Sequence, residues 1–216
     1  VEEVIEKGNS HVPTWKSPSG TQRLSKPSKV EDIQSATEER TSTGDLELDR
    51  VLGGGLIAGS VILIGGEPGI GKSTLMLQLA LNIAGKKVLY ISGEESEQQI
   101  KMRAERITTK PKADCFILTE TSTQNIFKQI EQLEPEIVIV DELAHTNIEG
   151  SKNKKRWQDV MEILEAGINV ITAVNIQHIE SLNEEVKAVT GIEVTERIPD
   201  TVLSAADEVV NIDLTA

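Results

Sequence analysis

From Thr41 onward, short apolar runs rich in β-branched residues alternate with longer segments whose apolar positions recur every three or four residues. A parallel sheet with crossover helices reads this way, because its strands are buried on both faces and its helices on one. The runs predict strands over 61–65, 87–92, 115–119, 137–140, 168–174 and 208–212. Helices are predicted over 72–84, 95–107, 123–133, 155–166 and 177–189. In the first of these, Leu75, Leu79 and Ile83 fall at fourfold spacing beside Met76 and Ala80, an apolar stripe that Gly85 closes. Right-handed crossovers gather the connecting loops at the carboxyl ends of the strands, so a functional site belongs there. Residues 8–36 carry Pro13, Pro18 and Pro27 among Ser, Lys and Gly without an apolar period, and read as linker. The expected division is a flexible segment over 1–40 and one domain over 41–216, with no internal repeat.

Composition sharpens this picture. The aromatic residues are Trp15, Tyr90, Phe116, Phe127 and Trp157, so the core is aliphatic and surfaces for stacking bases are scarce. Cys115 is the single cysteine, which rules out an internal disulfide and a Cys-x-x-Cys zinc site and fits a reducing, cytoplasmic setting. No apolar run approaches the roughly 18 residues of a membrane span, and Glu2, Glu3 and Glu6 are foreign to a signal peptide, so a soluble protein is expected. The formal net charge of -13 argues against a broad electrostatic grip on nucleic acid. It leaves room for a local one. Lys152, Lys154, Lys155 and Arg156 form the one basic cluster, which reads first as a solvated helix start and second as a contact for phosphate or an acidic partner.

The chemistry concentrates in Gly66, Glu67, Pro68, Gly69, Ile70, Gly71, Lys72, Ser73, the spacing of a phosphate-binding loop set between a predicted strand and a predicted helix. Glycines let the backbone turn tightly with its N–H groups inward, where a Cβ would obstruct their approach to a phosphate. The following helix aims its positive end at the same place. Lys72 is expected to reach the β- and γ-phosphate oxygens of ATP, and to face solvent when the site is empty. Ser73 is expected to put its hydroxyl on Mg2+, with Thr74 as a less favoured substitute. A plain strand-to-helix turn would not need Lys-Ser at this offset.

The run 137–140 leads into Asp141 and Glu142, the form of an acidic motif that orients magnesium and its waters. Asp141 is assigned to the metal. Glu142 competes with Glu94 and Glu95 as the base that polarises the attacking water, the latter pair reading equally well as an acidic helix start. Asn175, Gln177 and His178 follow another strand onto the same rim; they suit γ-phosphate sensing, though such residues more often cap helices. His145 and His178 lack the pair spacing of metal ligands.

Two resemblances follow from longer stretches. Residues 41–75, from Thr-Ser-Thr-Gly-Asp-Leu-Glu-Leu-Asp-Arg through the phosphate loop, with Val88-Leu-Tyr-Ile-Ser-Gly-Glu-Glu-Ser, resemble the bacterial RadA (Sms) DNA repair ATPases, relatives of RecA. That likeness covers 1–141. From Asp141 the chain instead resembles the N-terminal cytoplasmic domain of KdpD osmosensitive potassium sensor kinases: Asp141-Glu-Leu-Ala-His-Thr-Asn, Lys155-Arg-Trp-Gln-Asp-Val, Val174-Asn-Ile-Gln-His-Ile-Glu-Ser-Leu-Asn and Ile198-Pro-Asp carry it over 141–216. Both families bear a phosphate loop and a following acidic strand, so the halves meet at one structural point.

The RadA resemblance implies an α/β RecA-like core, a mostly parallel sheet with helices on both faces, ATP and Mg2+ in the 66–73 loop, and Glu94 as catalytic base. It implies a homo-oligomeric ring acting on single-stranded or branched DNA in recombinational repair. It also implies a four-cysteine zinc finger, a Ser-Ile-Gln-Thr continuation after Asp141, a Lys-Asn-Arg-Phe-Gly motif and a Lon-like domain, and this sequence has none of them. The KdpD resemblance implies a regulatory ATP-binding module of a two-component potassium response; its membrane spans and kinase are also missing from this sequence. A third reading is a chimeric P-loop domain that binds ATP only.

Overall fold

The computed structural model describes residues 29, 39–191 and 194–213. The chain divides into the units Val1–Thr37 and Glu38–Ala216, and all the elements below belong to the second. Apart from Lys29, Glu39 and Arg40, the expected linker lies outside the described residues.

In chain order the elements are β1 (Arg40–Thr41), α1 (Leu46–Val51), β2 (Leu56–Ile57), β3 (Val61–Gly66), α2 (Lys72–Asn82), β4 (Lys87–Ser92), α3 (Glu97–Ile107), β5 (Asp114–Thr119) and α4 (Thr123–Leu133). They continue with β6 (Ile137–Val140), α5 (Arg156–Glu165), β7 (Asn169–Asn175), α6 (Asn183–Thr190), α7 (Asp200–Ala205) and β8 (Glu208–Asn211). Six strands form one sheet in the order β5-β4-β6-β7-β3-β8, with each neighbouring pair parallel. β1 and β2 pair antiparallel beside it. This is the parallel α/β sheet that the alternation of runs predicts, and it agrees with the RecA-like core that the RadA resemblance implies.

Side chains alternate across the sheet with the period of two that a strand dictates. Ile62, Ile64, Val88, Tyr90, Ile137, Ile139, Ile171 and Ala173 pack against α2 and α3 on one face. Val61, Leu63, Leu89, Ile91, Val138, Val140, Val170 and Val174 pack against α4, α5 and α7 on the other. Each such aliphatic side chain contributes roughly 1.5–3 kcal/mol on burial. In α2 and its C-cap, Met76, Leu79, Ala80 and Ile83 are sealed as the stripe predicts, whereas Leu75 is half-buried; Leu77 and Leu81 are buried too, so this helix is enclosed on more than one side. Among the described residues no helix is long and apolar enough to cross a membrane.

Three local features differ from the sequence reading. The helix expected over 177–189 is instead two 3-10 turns, Ile176–His178 and Glu180–Leu182, followed by α6. A parallel bridge between Ile179 and Ile198, with the Glu180 N–H on the Ile198 carbonyl at 3.1 Å, takes the backbone bonds that a helix would use. The basic cluster leads into α5 as its first reading has it, but it is not solvated throughout: Arg156 is 3% exposed and pairs with Asp159, while the exposed Lys152 pairs with Glu162. The short α1, whose N-cap Asp45 accepts from the Glu47 and Leu48 N–H groups, was not foreseen.

Candidate functional site

β3 runs directly into the loop 66–73, and α2 leaves it at Lys72. Gly69 and Gly71 have φ of +79° and +107°, values that only glycine adopts without strain. A Cβ at either would meet nothing within 4 Å, so backbone conformation, not crowding by protein atoms, demands glycine there. Gly66 differs: its Cβ would come 3.1 Å from both Ile70 Cγ2 and the Ile212 carbonyl, so close packing is its reason.

Lys72 is 7% exposed, not solvent-facing as expected. Its ammonium donates to the carbonyls of Gly66 at 3.0 Å and Glu67 at 2.6 Å, which draws the loop around it. Burial lowers its pKa and the Asp141 charge opposes that shift. One residue on, the Ser73 hydroxyl donates to Asp141 Oδ1 at 3.3 Å. Tyr90 donates its hydroxyl to the other oxygen, Oδ2, at 3.2 Å from within the core. Burial raises the Asp141 pKa against these two bonds, and burial together with Asp141 raises that of Tyr90.

The parallel register brings the pieces together. β7 lies between β3 and β6, and its last residue, Asn175, stands opposite Gly66. The loop and Asp141 therefore face each other across the tip of β7. β4 delivers Glu94 to the same side, and Glu142 follows Asp141 with φ +59°, a left-handed turn. Burial, then the hydrogen bond and charge of Glu94, push the Glu142 carboxyl up to about 8. Glu95 does not share this role, because it forms an ion pair with Arg103 of α3. The N-cap of α3 is Ser96, in a capping box with Gln99, so Glu95 is not an acidic cap either.

These groups line a cleft of about 520 Å³. Of the predicted residues it gathers Pro68, Gly69, Gly71, Lys72, Ser73, Thr74, Glu94, Asp141, Glu142, Asn175 and His178. Gly66, Glu67 and Ile70 shape the loop without facing it, and Gln177 is absent from its wall. His178 donates Nδ1–H to the Glu196 carbonyl at 2.7 Å. Sequence reasoning missed Arg103, Glu196 and the juxtaposition of His145 with Glu94 and Glu142. It also passed over Tyr90, although a tyrosine in an aliphatic strand signals a buried partner for its hydroxyl.

Sheet order, glycine loop, lysine, hydroxyl and facing aspartate together define a P-loop domain of RecA-like fold. The flagellar accessory protein FlaH from Methanocaldococcus jannaschii shares that fold, with a TM-score of 0.56 at 18% identity over 82% of each chain. A family profile described as the KdpD osmosensitive K+ channel His kinase sensor domain matches residues 59–216, and the chain belongs to that family. The chain is also 51% identical to the DNA repair protein RadA of Campylobacter jejuni over 116 residues, which is 53% of this chain and 26% of that protein. It is 63% identical to the sensor protein KdpD of Mycobacterium tuberculosis over 81 residues, 38% of this chain and 9% of that protein. The chain thus spans a minor part of either relative. The KdpD profile begins well before Asp141, so the two likenesses overlap across the phosphate loop.

Proposed function

We propose that the domain over 41–216 binds ATP with Mg2+ and hydrolyses it, as a RadA-type ATPase that acts on DNA in repair. The observation that carries ATP binding is the Ser73–Asp141 contact at the mouth of a loop whose lysine is already drawn inward. The residues present fit the group: two left-handed glycines, the N-terminus of the 11-residue α2, and a hydroxyl and carboxylate converging from different strands. Bound ATP and Mg2+ supply the phosphoanhydride and the Lewis acid. The loop N–H groups and Lys72 would bind phosphate oxygens, Ser73 and Asp141 would hold the metal and its waters, and Tyr90 orients the Asp141 carboxylate. We choose Glu94, at the end of β4, as the base; Glu142 stands beside it in the same cleft, its carboxyl pushed up by burial and by the Glu94 contact.

A second reading is a regulatory ATP-binding module of KdpD type, with slow turnover. The family match, and the burial of Arg156 away from any basic surface, favour it. Phosphate release measured with and without single-stranded DNA tests the choice. The first reading expects Mg2+-dependent turnover that DNA accelerates. Turnover indifferent to DNA, with no DNA complex at low salt, rejects the DNA role and leaves the regulatory module.

A further inference from the structure

Beyond Asp141 the cleft wall carries a second set of cation-binding groups. Glu94 follows β4, Glu142 follows β6, and His145 stands one short turn further on; one ligand atom from each lies within 4.8 Å of the others. Bonds of about 2.0–2.2 Å put tetrahedral ligand atoms about 3.4 Å apart, so side-chain shifts of about 1 Å would close the three groups on one ion. The turn is fixed from both sides, because the His145 N–H donates to the Glu142 carbonyl at 3.1 Å and the His145 carbonyl accepts from the Arg156 N–H at 3.0 Å. Arg156 is itself anchored in the core by Asp159. The backbone at His145 is thereby fixed beside the two carboxylates.

The surroundings call for a cation. Glu94, Asp141, Glu142 and Glu196 all line this part of the cleft beside His145. The basic side chains of the cleft are engaged elsewhere: Lys72 with the Gly66 and Glu67 carbonyls, Arg103 with Glu95. Two carboxylates in contact need a proton or a metal ion between them.

We propose that Glu94, Glu142 and His145 form a transition-metal site, taking Zn2+ or an ion of similar preference, separate from the magnesium position at Ser73 and Asp141. Two carboxylate oxygens and one imidazole nitrogen leave a fourth position open, a donor set that suits zinc, whereas Mg2+ is served by oxygen ligands alone. The ion joins the end of β4 to the turn after β6. It also occupies both glutamates, so it opposes hydrolysis; this last consequence alone rests on Glu94 being the base.

Isothermal titration of ZnCl2 into the nucleotide-free full chain tests the site. One ion per chain is expected, with affinity at least about 10-fold weaker in His145→Gln and in His145→Ala, and unchanged in Ser73→Ala. Thermal melts without metal identify any variant that fails to fold, and the remaining histidine variant then decides. Histidine variants that bind zinc like the parent overturn the proposal, as does loss of binding in Ser73→Ala or no binding tighter than about 1 mM. Because no nucleotide is present, such a failure leaves the ATP reading intact, and loss of ATP binding leaves the zinc result intact.

Discussion

Ser73 and Asp141 lie 68 positions apart in the chain, yet their side chains meet at 3.3 Å across the tip of β7. A hydroxyl from a helix N-terminus and a buried carboxylate from a strand end converge there, the pair proposed above to hold magnesium. Tyr90 holds the far carboxylate oxygen, so the aspartate is oriented before any ligand arrives.

Lys72→Ala removes the proposed phosphate ligand and leaves the Gly66 and Glu67 carbonyls without their donor. We expect nucleotide binding to fall below detection and stability to drop by about 1–3 kcal/mol. Fluorescent-nucleotide titration and urea denaturation read the two effects separately. Unchanged affinity would remove the lysine from the site.

Tyr90→Phe deletes one hydroxyl and keeps the ring in the core. The loss of its bond to Asp141 is expected to cost about 0.5–1.5 kcal/mol of stability. The Mg2+ concentration needed for half-maximal ATP binding should rise. A variant with reduced stability but unaltered Mg2+ dependence would make the tyrosine purely structural.

Glu94→Gln should reduce phosphate release by about 10²–10⁴-fold while ATP still binds, because a carboxamide cannot take a proton from water. Glu142→Gln keeps a neutral group where a proton already sits, and should be far milder. The reverse ranking in a single-turnover assay would move the base to Glu142.

Glu142 also sets a pH dependence. Its folded pKa, about 8, lies above the ordinary carboxylate value, so the folded state holds a proton that the unfolded chain has released. Its contribution is full below the unfolded pKa of about 4.3 and is lost as pH rises through the folded value. Nucleotide-free melting temperatures should therefore decline from pH 5 toward about 9, and Glu142→Gln should flatten that decline. Equal slopes in the two proteins would count against the Glu94–Glu142 contact.

Asp159 is 1% exposed and accepts from Thr123, Asn147, Asn153 and Arg156. Asp159→Ala strands the Arg156 guanidinium in the core, at an expected cost of about 3–5 kcal/mol by chemical denaturation. A loss below about 1 kcal/mol would mean that water relieves the arginine.

The strands and most helices were legible because burial on two faces leaves aliphatic runs, and burial on one leaves a stripe. β4, α4 and β6 match the periodicity residue for residue. The phosphate loop was legible because its constraints are local: φ at Gly69 and Gly71, and a lysine at the helix start. Contacts between distant segments left no such trace. The Ile179–Ile198 bridge broke a helix that local pattern supported, and the Thr146–Glu196 bond at 2.7 Å closes a wall of the cleft from 50 positions away. Arg156 looked like surface charge because its partner, Asp159, neutralises it only once α5 is packed.

The order of strands carries a consequence for folding in time. β3, which bears the phosphate loop, is flanked by β7 and β8, both contributed more than a hundred positions later. Its immediate successor, β4, is separated from it by two strands, β6 and β7. Such non-local pairing delays assembly, since each loop must close before its contacts reward it. During synthesis the glycine loop emerges early and remains unsupported until β7 arrives. Nucleotide binding should therefore be among the last properties the domain acquires, and a nascent chain halted before Asn169 should hold no ATP.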